Sequence, residues 1–313
     1  MNIDIRRLRH LLAAVEHGNI KKAAASQHIT QSALTRSIQK LETDLGTKLL
    51  DRQSRGVTPT PVGKRLCEHA KRIVNAVDTA SLDMRDLISG SGTQLRLGIC
   101  PTLLSRGCLD GLMELSLARP MLDLYVVEAF YNTLLQLLRL GELDLVLTTL
   151  PEGNNVAGMF VEELCSVDVE RSIFASRDHH LFQQRAISQN DLKNARWVVA
   201  NQAYYIRGLE TYFDVSRIPR PNVYLKADSL AVLRHAIVFH GHIALLSRVL
   251  VSRYFRAESV KPIPGTAQRF TISHGLVFSR DYVPSIAFQN VVEKIRAFYT
   301  GSEFSADDDR LLI

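Results

Sequence analysis

Six polar side chains cluster in one short stretch: Gln31, Ser32, Thr35, Arg36, Gln39 and Lys40. Their chemistry suits flat, edge-on partners. Glutamine can bond bidentately to adenine and arginine to guanine, while serine and threonine bond either base edge and threonine adds a methyl contact to thymine. Thr35 and Arg36 lie one helical turn after Gln31 and Ser32, and Gln39 and Lys40 also fall off the apolar face of the same segment. Further on, Arg52 precedes the turn-like Gln53-Ser54-Arg55-Gly56 and Arg55 lies within it, a basic tip suited to phosphate or the minor groove.

Other reactive residue types form no such set. No GxSxG, GxGxxG, phosphate loop or HExxH occurs, so the chain is expected not to be an enzyme and to need no cofactor or metal. His240 and His242 flank Gly241, where a structural role outweighs metal binding. The four cysteines, Cys67, Cys100, Cys108 and Cys165, make no CxxC pair and no zinc spacing. Buried, reduced thiols in a cytoplasmic protein are the main reading; a thiol switch at the neighbouring Cys100 and Cys108 stays open.

Charge singles out the same end of the chain. Residues 1–65 hold 12 Lys/Arg and 5 Asp/Glu, against 26 and 27 in the rest, so the whole net charge of +6 sits in the first fifth. That asymmetry points to a polyanion partner for the N-terminal segment alone. At 313 residues the chain allows about two or three folding units. No run of ~18 apolar residues exists, so no membrane span is expected. Arg6, Arg7 and Arg9 precede no long apolar core, so no secretory signal is expected and the location is read as cytoplasmic.

The elements that would position the polar set are legible. Leu8, Leu11, Leu12 and Val15 give one apolar face to a helix over 5–17, ended by Gly18. Asn19 caps a short helix over 20–27, His28-Ile29 make a turn, and Thr30 caps a third helix over 31–44. In that helix Leu34, Ile38, Leu41 and Leu45 face inward, leaving the polar set outside. This is a helix-turn-helix, whose second helix enters the major groove. Short strands at 49–52 and 57–58 add a wing.

The stretch with EHGN, KKAA, QSALTRSIQKLETDLGTKLLDR and TPTPVG resembles the N-terminal domain of LysR-type transcriptional regulators over residues 3–66. The resemblance maps the base-reading positions onto Gln31, Ser32, Thr35 and Arg36, with Arg52 and Arg55 on the wing. Ser32 stands where the family often has proline, and Leu50 where it often has phenylalanine.

Thr60-Pro61 opens a further helix. Leu66, Ala70, Ile73, Val77, Ala80, Met84 and Leu87 form a heptad seam along it, and Ser89-Gly90-Ser91-Gly92 ends it. The expected role is homodimer pairing, which suits a helix-turn-helix that reads half-sites. The resemblance implies the same, and further pairing into tetramers.

From Leu95 the pattern alternates strands and helices. Strands are expected at 95–100, 122–128, 143–149, 172–176, 196–200, 222–227, 242–247 and 272–279, with helices at 103–117, 133–140, 206–213, 230–239 and 285–299. The order implies parallel sheets with right-handed crossovers in two α/β lobes. LLRLGELDLVL and ASRDHHLF resemble pieces of the LysR effector-binding domain, whose fold is like type 2 periplasmic binding proteins. The expected organisation is 1–60 winged helix-turn-helix, 61–89 linker and dimerisation helix, and 94–300 effector domain. Its lobe I covers about 94–165 with 272–300 and lobe II about 166–271; the tail 301–313 with Asp307-Asp308-Asp309 is read as disordered.

In open α/β sheets ligands sit beyond the carboxyl ends of strands, beside free N–H groups that open helices. This places Cys100, Thr102 and Leu103 at a cleft, with Phe130, Tyr131, Thr149, Asn201, Gln202 and Tyr204 as further candidates. By the resemblance, Thr102 matches a hydroxyl residue that contacts effectors. The aromatic residues lean toward a small organic effector, anionic or aromatic. A pure solute-binding protein would not carry the basic N-terminal module. Together these imply a sequence-specific DNA-binding regulator whose partners are double-stranded promoter DNA, a small effector, copies of itself and RNA polymerase, with no membrane.

Overall fold

A computed structural model describes residues 3–53, 56–89, 94–119, 122–150, 153, 155–200, 203–216, 220–221, 223–256 and 258–300. The chain divides into two units, residues 1–93 with 136–143, and residues 94–135 with 144–313. The tail 301–313 lies outside the described residues.

In the first unit, α1 (Ile5–His17), α2 (Ile20–Ser26) and α3 (Gln31–Leu45) start and stop where the caps expect. Asp4, Asn19 and Thr30 accept main-chain N–H groups of the first turns, satisfying donors that the helix leaves orphaned. Gly18 and Gly46 close α1 and α3 in the left-handed conformation, and His28 takes the same conformation in the turn. Leu8, Leu11, Leu34, Ile38, Leu41 and Leu49 are buried together in one core. The wing pairs β1 (Leu50–Gln53) with β2 (Gly56–Pro59), antiparallel.

The linker helix α4 spans Pro61–Ser89. Its first turn sits so close to the wing that a Cβ on Gly63 would lie 2.0 Å from the Leu49 carbonyl oxygen. Here the expected seam is corrected. Leu66 and Ala70 pack into the core of their own unit beside Cys67 and Val74, because α1 lies against this part of α4. Ile73, Val77, Ala80 and Met84 keep the 4-3-4 spacing and are exposed. The Leu87 side chain lies outside the described residues.

The second unit is built on nine strands among the described residues, in the order β4-β3-β5-β11-β6-β9-β7-β8, with β10 on β6. β3 (Gln94–Ile99), β4 (Asp123–Glu128) and β5 (Leu145–Leu150) run parallel in one lobe, and β7 (Arg196–Val199), β8 (Val223–Lys226) and β9 (His242–Ser247) in the other. Two long antiparallel strands, β6 (Met159–Ser176) and β11 (Gln268–Ser279), pass through both. The sequence reading began β6 only at residue 172, because residues 159–171 lack a continuous apolar run. Its ladder partner, β11, comes from distant sequence, so only the fold reveals it. A bulge interrupts the ladder between His274 and Gly275. A Cβ on Gly275 would fall 2.4 Å from the Glu162 oxygen, so glycine is required there.

Helices cover these strands: α5 (Arg106–Ala118), α6 (Tyr131–Arg139), α7 (Gln189–Asn194), α8 (Ala203–Ser216), α9 (Leu230–His240), α10 (Arg248–Tyr254) and α11 (Ile286–Thr300). The helix expected over 103–117 is corrected. Pro101–Leu103 make a single 3-10 turn, and α5 begins only after Ser105, whose hydroxyl accepts the Cys108 N–H. α7, α10 and the short β10 (Val260–Pro262) were not expected; the first two follow serine N-caps, Ser188 and Ser247, that were available as start signals.

Candidate DNA-reading helix and effector site

The two faces of α3 are segregated. Leu34, Ile38 and Leu41 are buried, whereas Gln31, Ser32, Arg36, Gln39 and Lys40 are exposed and Thr35 is half-buried. Two of the candidates have local partners. The Ser32 hydroxyl lies 3.1 Å from Thr30 Oγ1, and the Lys40 ammonium pairs with Asp44 at 3.1 Å. Asp44 also binds Arg7 on α1 at 2.6 Å, so Lys40 shares a carboxylate rather than standing as an isolated cation. Arg52 lies on β1, but its side chain, and the whole of Arg55, lie outside the described residues.

A carboxylate that the sequence reading did not single out fixes α3 against the wing. Glu42 is buried and accepts the N–H groups of Leu49 at 2.9 Å and Leu50 at 3.3 Å, and the Lys48 ammonium at 3.0 Å. Burial pushes its pKa up, but the Leu49 N–H, Lys48 and the Leu50 N–H outweigh that and hold it below the usual value. On the other side, Val57 N–H donates to the Gly18 carbonyl at 2.9 Å. His10 ties α1 to α3, its Nδ1 lying 2.7 Å from Ser37 Oγ, and burial, aided by Arg6, lowers its pKa. Helix α3 is therefore tied to the wing through Glu42 and to α1 through Ser37 and Asp44.

In the second unit the candidates separate. Cys100, Leu103 and Phe130 are buried. Cys100 and Leu103 pack inside the lobe at the end of β3, and Phe130 borders a small cavity. Phe130 packs with Val198, Ala200, Leu246 and Leu250 of the other lobe, beside a small apolar cavity that the same residues line. Thr102 is half-buried, with its hydroxyl 3.5 Å from the Cys100 sulfur. Tyr131 opens α6 and Thr149 lies on β5 opposite His274; both are half-buried. Asn201 and Gln202 lie outside the described residues; Tyr204 lies in α8, its side chain not described.

The expected N–H cradle after β3 is also corrected. Leu103 N–H donates to Cys100, Leu104 N–H to Pro101 and Ser105 N–H to Leu103, so these donors serve the turn itself. Around the turn stand residues that sequence reasoning missed. Buried Arg253 donates to the Thr102 carbonyl at 2.7 Å, and the Tyr254 hydroxyl lies 3.0 Å from Glu128 Oε1. His274 is buried with no hydrogen-bond partner at Nδ1; burial, then Arg253, lowers its pKa to about 4. Burial raises the Cys100 thiol, and pushes Cys108 and Cys165 up to about 11. These groups stay protonated at neutral pH, which makes them poor nucleophiles and favours the reduced-thiol reading over the switch.

Among the described residues no group of three or more His, Cys, Asp or Glu side chains is arranged to hold a metal ion, and no helix is long and apolar enough to cross a membrane.

Comparison with known proteins agrees with both units. Residues 5–64 match the family described as "Bacterial regulatory helix-turn-helix protein, lysR family", and residues 89–299 match "LysR substrate binding domain". The "DNA-binding transcriptional dual regulator OxyR" of Escherichia coli K12 is 26% identical over 303 residues, covering 96% of this chain and 97% of that protein. The crystal structure of CbnR, a LysR family transcriptional regulator, superposes with a TM-score of 0.67 at 17% identity, covering 96% of this chain and 100% of the other. Full-length CbnR complexed with its target DNA gives 0.64 at 18% identity, covering 94% and 99%. With a DNA-reading helix on one unit, a two-lobed sheet in the other and a family match across most of its length, the chain belongs to the LysR family of bacterial DNA-binding transcriptional regulators, which are not enzymes.

Proposed function

We propose that the protein is a homo-oligomeric promoter-binding regulator whose DNA contacts are modulated by a small organic molecule in the cleft of its second unit. The observation that carries the DNA half is α3: one face fully buried, and Gln31, Ser32, Arg36 and Gln39 exposed together on the other. In this reading Gln31, Ser32, Thr35 and Arg36 meet base edges, Gln39 and Lys40 extend the footprint, and Arg52 and Arg55 on the wing grip phosphate. The protein acts in the compartment that holds the chromosome, the cytoplasm, and meets RNA polymerase at the promoter.

Exposed Ile73, Val77, Ala80 and Met84 support pairing of two α4 helices. Two further apolar patches support pairing of dimers into a tetramer. They are Tyr125 and Tyr224, exposed on the two edge strands β4 and β8 of the second unit, with Leu117 of α5 and Phe239 of α9 exposed as well. The effector is read at the carboxyl end of β3, with Thr102, Tyr131 and Thr149 as its polar contacts and Asn201, Gln202 and Tyr204 as further candidates. Lobes 94–165 with 272–300 and 166–271 would shift relative to each other around it, and the resulting change in head spacing couples ligand to DNA reciprocally.

The test is binding to an operator selected from genomic fragments. Arg36→Ala is expected to weaken operator binding about 10- to 100-fold while random DNA changes little. Equal loss on both would reduce Arg36 to a phosphate contact.

A further inference from the structure

The carboxyl ends of β3 and β4 are already held by side chains from the opposite lobe. Both come from α10, which continues directly from β9 and is capped by Ser247, whose hydroxyl accepts the Leu250 N–H at 3.2 Å. Arg253 reaches the Thr102 carbonyl at 2.7 Å. The Tyr254 hydroxyl lies 3.3 Å from the Pro101 carbonyl and 3.0 Å from Glu128 Oε1, its single proton shared between the two acceptors. Alongside, Phe130, the second residue after β4, is buried among Val198, Ala200, Leu246 and Leu250 of the lobe that bears α10. A guanidinium on a carbonyl and a phenol on a carboxylate are charge-assisted; Arg253 is buried, which strengthens its bond, while Tyr254 is half-buried and meets the exposed Glu128 at the rim.

We propose that Arg253 and Tyr254 are an intramolecular latch, holding the two lobes together without any ligand by occupying strand-end carbonyls of Pro101 and Thr102. The latch rests on the reading of this cleft as the effector site in one respect only: a molecule that enters must displace it. Phe130 acts as the apolar half of the same closure, seated in the other lobe while the polar pair holds the turn. The resting form of the unit is then closed, and an effector acts by replacing a contact the chain makes with itself.

The test is hydrogen exchange read by mass spectrometry on the full-length protein, without ligand, comparing wild type with Tyr254→Phe. The substitution keeps the ring and removes only the hydroxyl. Expected is exchange about tenfold faster in peptides covering 101–105 and 128–134 and, across the cleft, 196–200, with 31–45 unchanged. Glu128→Gln keeps an acceptor for the hydroxyl and should stay within about threefold of wild type. Arg253→Lys, which keeps the charge but loses the fork, should open the same peptides; if it fails to fold, Tyr254→Phe decides alone. Unchanged exchange on either side of the cleft overturns the latch, and so does uniform acceleration throughout the second unit, which would mark simple destabilisation. Opening in Tyr254→Phe with no response of the wild type to any small molecule would count against the effector reading alone.

Discussion

The two units handle their polar groups in opposite ways. In the first, polar side chains that could meet a partner stand outside a small, fully apolar core, and the buried polar groups serve as clamps: Glu42 on the Leu49 and Leu50 amides, His10 on Ser37. In the second, polar groups at the strand ends are taken up by the chain itself, as with buried Arg253 on Thr102 and, at the surface, Tyr254 on Glu128. A reader of DNA gains from a preformed surface, because groups already in place cost little ordering on binding. A sensor gains from contacts that can be exchanged, because a ligand shifts an equilibrium only by its differential affinity for two states.

The largest test of this contrast is steric. Gly63→Ala places a methyl against the Leu49 carbonyl, and Gly275→Ala places one against Glu162 and Leu150, both at distances no Cβ tolerates. Each is expected to cost roughly 2–4 kcal/mol in its own unit only, since neither backbone position can yield cheaply. Calorimetry should show one transition lowered and the other kept; loss of both together would mean that the units do not unfold independently.

Next comes a comparison of two buried histidines. His274 Nδ1 has no partner, and its pKa falls from 6.5 to about 4. The unfolded chain takes up its proton near pH 6.5 and the folded chain only near 4, so stability is lost progressively across that window and levels off below it. The shift corresponds to roughly 3 kcal/mol. His10, whose pKa is also lowered, keeps Ser37 as a partner that a protonated ring can still donate to. Urea unfolding from pH 7 to 4 should therefore weaken the second unit more, and His274→Gln should flatten its profile. An unchanged profile would show that His274 is already charged in the fold.

The smallest expected effect is none at all. Hydrogen peroxide should leave Cys100 and Cys108 as thiols, because burial raises both and leaves little thiolate to attack. A Cys100–Cys108 disulfide found by peptide mapping would reverse the reduced-thiol reading and give the second unit a redox input.

Much of this was legible in the sequence, and the exceptions share a cause. Caps at Asn19, Thr30 and Thr60 and the Leu34-Ile38-Leu41 stripe act within a few residues, so pattern alone located the helices of the first unit. The same reading put Leu66 and Ala70 in the dimer seam, since an apolar stripe does not say which neighbour covers it; α1 does. Residues 159–171 of β6 carry Glu162, Glu163, Asp168 and Glu170, and form a strand because β11 pairs with them from a hundred residues away. Arg253 and Tyr254 likewise acquire their roles from partners more than a hundred residues away, while Glu42 takes its role from the turn that brings Leu49 and Leu50 back onto α3. Thr102 was legible as a strand-end residue, but the 3-10 turn it occupies, and the internal use of the surrounding amides, were not.

The seat of Gly63 against Leu49 has a mechanical consequence. Because the first turn of α4 has no slack against the wing, the helix and the reading head move as one rigid arm. Twenty-nine residues make α4 about 43 Å long. Over such a lever a change of about 5° in the angle at which two arms cross displaces the far end by about 4 Å, comparable to the rise of one base pair, 3.4 Å. In the proposed dimer, a small adjustment at one end of the two arms would thus be geared up into a step of register on DNA.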